Sequence, residues 1–211
     1  MKIERLSLGS YQTNCYLLHL GEVAWVIDPA DSPEVILERV KNLEGVILTH
    51  FHYDHLLALP ELIKEHPETK IYIHPLDAPF LGPEGGAKLG QFARSLDPSL
   101  RSKSDLFWRS LPSPTHLIDE GDIIEGIELR VIHTPGHSLG SICLYREGIL
   151  FAGDTLFARS IGRSDLPHSA PELLISSIES KLLTLPKETI VYPGHGPETT
   201  IGDEQRLNPY L

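Results

Sequence analysis

The chain has 211 residues, 41% of them hydrophobic, and a formal net charge of -11, a length that supports one full core, so a single domain over residues 1–211 is expected. The acidic balance and the lack of a Lys/Arg cluster argue against nucleic acid as a partner. No apolar run approaches a membrane span, Met1-Lys2-Ile3-Glu4-Arg5 leads into no secretory segment, and two cysteines inside apolar runs, Cys15 and Cys143, read as buried thiols, so a cytoplasmic protein is expected.

Residues 3–8, 14–20 and 23–28 read as strands, the last two joined through Gly21. Asp31-Ser32-Pro33 opens a helix carrying Val35, Ile36, Leu37 and Val40. A strand over 45–48 runs into Thr49-His50-Phe51-His52-Tyr53-Asp54-His55, followed by a helix over 56–66 and a strand over 70–73. Beyond Gly82-Pro83-Glu84-Gly85-Gly86, the residues Leu89, Phe92, Ala93 and Leu96 recur at helical spacing. That helix either packs on the domain or covers a cleft, with Phe92, Phe107 or Trp108 facing substrate. The second half repeats the first: a strand over 127–133, a hairpin of 142–145 and 149–152, a helix over 171–183 and a strand over 189–192. Each half runs hairpin, acid, helix, strand, histidine, which predicts two sheets with helices outside.

Three imidazoles and a carboxylate lie within residues 50–55. In an extended segment His50 and His52 share a face and can grip one ion, while Asp54 and His55 turn away past the strand end and bring a second within reach. Nitrogen and oxygen donors without thiolates suit zinc and also accept iron or manganese. The competing reading makes Asp54 an N-cap for the following helix. Three further strand ends carry a donor: Thr134-Pro135-Gly136-His137, Phe151-Ala152-Gly153-Asp154 and Tyr192-Pro193-Gly194-His195. A carboxylate ending an apolar strand, as Asp154 does, is costly unless something pairs with it.

This ordered set, His50, His52, Asp54, His55, His137, Asp154 and His195, resembles the signature of the metallo-β-lactamase superfamily over nearly the whole chain. Within it, 10–16, 153–157 and 160–167 look like the short bacterial glyoxalase II-like (hydroxyacylglutathione hydrolase-like) enzymes. The resemblance implies an α/β fold, the αββα sandwich of two mixed sheets face to face with helices outside. It implies two divalent ions, zinc first: one on His50, His52 and His137, the other on Asp54, His55 and His195, with Asp154 bridging. Asp28 would support the ligand loop without binding metal. Attack by a metal-bridging hydroxide, oriented by Asp54, on a hydroxyacyl thioester of the S-lactoylglutathione type is the implied reaction. A thiolate leaves without protonation, whereas an amide nitrogen needs a proton.

Arg163 stands where glutathione-using relatives have a lysine, which makes it a candidate for a substrate carboxylate, against a local salt bridge to Asp165. Those relatives also carry a C-terminal helical domain, whereas residues 196–211 alone follow His195 here. The competing readings are a mononuclear iron persulfide dioxygenase, a metallo-hydrolase of another ester, a lactone or a β-lactam, and a metal-binding scaffold without turnover.

Overall fold

Strands rich in Ile, Val and Leu organise the computed structural model, which describes residues 1–211, into two units, Met1–Leu117 and Ile118–Leu211. The sheet of the first unit contains β1 (Lys2–Leu8), β2 (Thr13–Leu20), β3 (Val23–Ile27), β4 (Leu43–Ile47), β5 (Lys70–Ile73) and β6 (His116–Leu117), hydrogen-bonded in that order. Pairings β1·β2 and β2·β3 are antiparallel, and those from β3 to β6 are parallel. The helices are α1 (Pro33–Leu37), α2 (Leu59–Glu65), α3 (Gly82–Leu96) and α4 (Asp105–Arg109). Leu17, Val26, Val46, Leu48, Phe51, Leu59, Leu62 and Leu89 share one buried cluster.

Two expected boundaries move. Strand β4 ends at Ile47, so the histidine run leaves the sheet slightly earlier than its apolar pattern suggests. Residues Tyr53–His55 form a single 3-10 turn, and α2 starts only at Leu59, after Ala58 and with a proline in its first turn. Asp54 is therefore too far upstream to cap that helix, and the N-cap reading is set aside.

The second sheet runs β14 (Thr199–Thr200), β13 (Ile190–Pro193), β10 (Ile149–Gly153), β9 (Ile142–Arg146), β8 (Leu129–His133) and β7 (Ile123–Ile124). Only β10·β13 is parallel, so both sheets are mixed, as expected. A separate hairpin pairs β11 (Leu156–Phe157) with β12 (Ser160–Ile161). Helix α5 (Pro171–Ser177) continues into a π-helical turn over Ile178–Leu182, and α6 (Ile201–Leu207) follows β14. Cys143, Leu150, Leu174, Ile178, Leu182, Val191 and Ile201 form the core of this unit.

The repeat seen in the sequence survives in topology. In each unit the hairpin's second strand pairs in parallel with the strand that delivers the histidine, β3 with β4 and β10 with β13. A backbone bond seals each strand end: Asp28 N–H donates to the Ile47 carbonyl at 3.0 Å, and Gly194 N–H to the Gly153 carbonyl at 2.7 Å.

Trp108, carried by α4, packs on the domain and does not face outward. The indole is fully buried beneath α3, and glycine makes that approach possible: a Cβ at Gly90 would lie 2.4 Å from the Trp108 ring, and one at Gly86 1.9 Å from its carbonyl oxygen. These glycines weaken the isolated helix but let it sit directly on α4. Trp108→Ala should lower stability by about 3–5 kcal/mol through the cavity left behind, measurable by urea unfolding.

Candidate metal centre

In the first unit, β3 and β4 end side by side and bring an acid and the histidine run together. Asp28 is 2% exposed, with its backbone in the left-handed region at φ 52°, an uncommon conformation for a residue with a side chain. Its Oδ1 accepts Thr49 N–H at 2.8 Å, and its Oδ2 accepts the Thr49 hydroxyl at 2.7 Å. The same Oδ2 lies 2.9 Å from His55 Nδ1. With its proton committed to Asp28, the Thr49 hydroxyl has a lone pair left for the His50 Nδ1 proton 3.0 Å away. This network sets both tautomers: His50 and His55 donate from Nδ1 and keep a lone pair on Nε2. Asp28 thereby holds the loop from Thr49 to His55 by hydrogen bonds.

The inward atoms have the geometry of ligands. Nε2 of His50, His52 and His55 is in each case buried and makes no hydrogen bond, which an electropositive guest would satisfy. The rings of His50 and His52 are 4.8 Å apart and perpendicular, and those of His50 and His55 are 4.3 Å apart. Asp54 Oδ2 stands 3.6 Å from His55 Nε2, too far for a hydrogen bond. Two ligands 2.0–2.1 Å from a tetrahedral zinc are separated by about 3.4 Å.

The second unit has the same spacing around its acid. Asp154 Oδ2 is 3.5 Å from His137 Nε2 and 3.5 Å from His195 Nε2, so one carboxylate oxygen serves two imidazoles at ligand-to-ligand distance. His137 Nδ1 donates to the Arg163 carbonyl at 2.6 Å, which again leaves Nε2 as the inward lone pair. His195 is held edge-on to the Phe157 ring, centroids 6.1 Å apart. The donor sets of both units fit divalent ions.

Arg163 takes the local pairing that was one of its two expected readings. Its guanidinium is exposed and forms a two-pronged pair with Asp165, at 2.9 Å and 3.1 Å, whose hydrogen bonds hold the Asp165 carboxyl below the usual carboxylate range. Its carbonyl is what touches the candidate centre. Sequence reasoning also missed Asp77, 1% exposed, whose carboxylate accepts Phe51 N–H at 3.0 Å and pins the loop between His50 and His52. A carboxylate inside His74-Pro75-Leu76-Asp77-Ala78, flanked by apolar residues, was the available signal. His74 accepts Leu76 N–H at Nδ1 and acts as a local cap. Burial pushes the Cys15 thiol well up, and raises Cys143 to about 11, so neither is poised as a nucleophilic thiolate.

Comparisons with known proteins show the family. The sequence model of the Metallo-beta-lactamase superfamily matches residues 8–195. The chain is 35% identical to the Hydroxyacylglutathione hydrolase GloC of Haemophilus influenzae, over 100% of this chain and 98% of that protein. Among solved structures, TTHA1623 in a di-iron-bound form shares 37% identity at TM-score 0.80, covering 99% of this chain and 100% of the other. The BLEG-1 B3 metallo-beta-lactamase shares 35% identity at TM-score 0.81, covering 100% and 99%.

Proposed function

Because the chain belongs to the metallo-β-lactamase superfamily, whose members are mostly metal-dependent hydrolases, we propose that it hydrolyses hydroxyacyl thioesters at a dinuclear centre, its two units acting as one domain. His50, His52 and His137 would hold one ion and Asp54, His55 and His195 the other, with the Asp154 carboxylate available to both. The observation that carries this reading is the single Asp154 oxygen equidistant, at 3.5 Å, from two imidazoles that the proposed ligand sets put on different ions. Zinc suits the donors, and the di-iron form of TTHA1623 makes iron the first alternative.

When bound, such a pair supplies an acidified water and polarises the attacked carbonyl. The protein's own residues do the rest. Asp28 and the Arg163 carbonyl fix histidine tautomers, and Asp54 and Asp154 provide the anionic charge that offsets the cations. No separate acid is required of them if the leaving group is a thiolate, whose conjugate acid has a pKa of about 8.5. The likeness to GloC favours the same class. Arg163 can reach a substrate carboxylate only by leaving Asp165, and exposed pairs of this kind are weakly held.

The test is thiol release from a thioester panel including S-lactoylglutathione, with a β-lactam and a glutathione persulfide as controls, on protein carrying zinc or iron. Release should disappear with chelator and return with metal. Stoichiometric metal with no release above background would sink the proposal, and oxygen uptake with the persulfide would replace it with the dioxygenase reading.

A further inference from the structure

The turn between β1 and β2 carries an outer contact to the metal loop that nothing above uses. Thr13, the first residue of β2, is 1% exposed, and its hydroxyl donates to Asp54 Oδ2 at 3.0 Å across a separation of 41 residues. That oxygen is the one standing 3.6 Å from His55 Nε2. A carboxylate on a short 3-10 turn can rotate about its terminal torsion, and one fixed donor removes that freedom. The turn is itself secured from the other side. The Tyr53 hydroxyl donates to the Tyr11 hydroxyl at 3.0 Å, Tyr11 donates to Asp97 at the end of α3, and the Tyr11 and Tyr53 rings meet edge-on with centroids 5.6 Å apart. Tyr53 and Asp54 are thus both gripped by residues 11–13.

We infer that Thr13 is a positioning residue for the metal site, holding Asp54 Oδ2 beside His55 Nε2 so that the two can bind one ion together. The inference rests on the ligand role proposed for Asp54 but not on the identity of the substrate. The hydroxyl is the operative group, since valine has the same shape and also favours a strand. Outer partners of metal ligands typically control affinity or activity by about 10–100-fold.

Cobalt(II) titration of the metal-free protein, followed by its visible spectrum, reads this without any substrate. Thr13→Val should bind one of two ions about 10–100-fold more weakly, with an altered spectrum for that ion. Thr13→Ser should restore both. In turnover, Thr13→Val should lower kcat with KM little changed, and Thr13→Ser should restore it, with urea unfolding checking that the active fraction is the same. Wild-type affinity and spectrum in Thr13→Val overturn the inference. If that variant does not fold, Thr13→Ala is titrated instead, and wild-type binding there is equally fatal. Two bound ions with no thioester turnover would sink the proposed reaction and leave this inference standing, whereas turnover indifferent to Thr13→Val would sink this one alone.

Discussion

Asp154→Ala should leave the protein unable to keep two ions per chain and should lower thioester hydrolysis by at least about 100-fold, beyond the range typical of an outer partner. The reason is charge and position together. Asp154 Oδ2 is the one oxygen at 3.5 Å from both His137 and His195, and its side chain is only 11% exposed. On the proposed reading, alanine removes an anion that offsets the cations and a donor shared by both ions. Asp154→Asn keeps an oxygen and loses the charge, so it should fall between wild type and alanine. Stability should move in a way that separates ligand loss from misfolding. Metal at a hundred times its Kd should stabilise the wild type by about 2.7 kcal/mol, and this increment should shrink strongly in Asp154→Ala. Elemental analysis with thermal unfolding at fixed metal checks both parts. Two retained ions in Asp154→Ala would refute the bridging role.

Gly162→Ala is expected to damage both the second unit's packing and its candidate metal donors. A Cβ at Gly162 would lie 1.8 Å from the Asp154 carbonyl oxygen, 2.9 Å from its carbon and 3.4 Å from His137 Cβ. The obstacle is backbone, so no side chain can swing aside. The segment after β12 must lift, losing the bond from Gly162 N–H to the Thr155 carbonyl at 3.3 Å. The Arg163 carbonyl leaves His137 Nδ1 with it, and the Ser169 hydroxyl bond to the His137 carbonyl, 2.6 Å, is strained as well. Overpacking of this kind costs about 1–3 kcal/mol, occasionally more, and the upper end is expected here. Metal affinity should fall in parallel, because His137 loses the acceptor that fixes its tautomer. Urea unfolding and metal titration of the same preparation are the checks. Stability within about 0.5 kcal/mol of wild type would show that the segment can relax at little cost.

The chemistry was more legible in the sequence than the supports around it. His50, His52, Asp54 and His55 are close in the chain, so any extended segment followed by a turn keeps them close in space. Asp28 was readable because it ends a hairpin strand, and the structure gives it three donated hydrogen bonds. Thr13 and the Arg163 carbonyl were not readable as supports, and Asp77 showed only as a carboxylate among apolar neighbours. Each reaches its partner across a long stretch of chain, 41 residues for Thr13 to Asp54 and 26 for both Asp77 to Phe51 and Arg163 to His137, and one of them acts through backbone, which has no residue type. Whether Trp108 packs on the domain or faces substrate was open in the sequence, because aromatic spacing does not say which face of a helix is covered. The glycines at 86 and 90 decide that by letting α3 settle onto it.

What the sequence determined by itself is local: strand and helix periodicity, the acid or histidine at each strand end, and a donor set without thiolates that selects hard or borderline cations. What only the tertiary structure decided is direction: which nitrogen of each imidazole faces inward, which oxygen of Asp54 is held, and that the Arg163 side chain goes to Asp165. Residue types fix which atoms can donate or accept. Hydrogen bonds between distant segments choose among rotamers and tautomers of similar intrinsic energy, and that choice exists only once the sheets have formed.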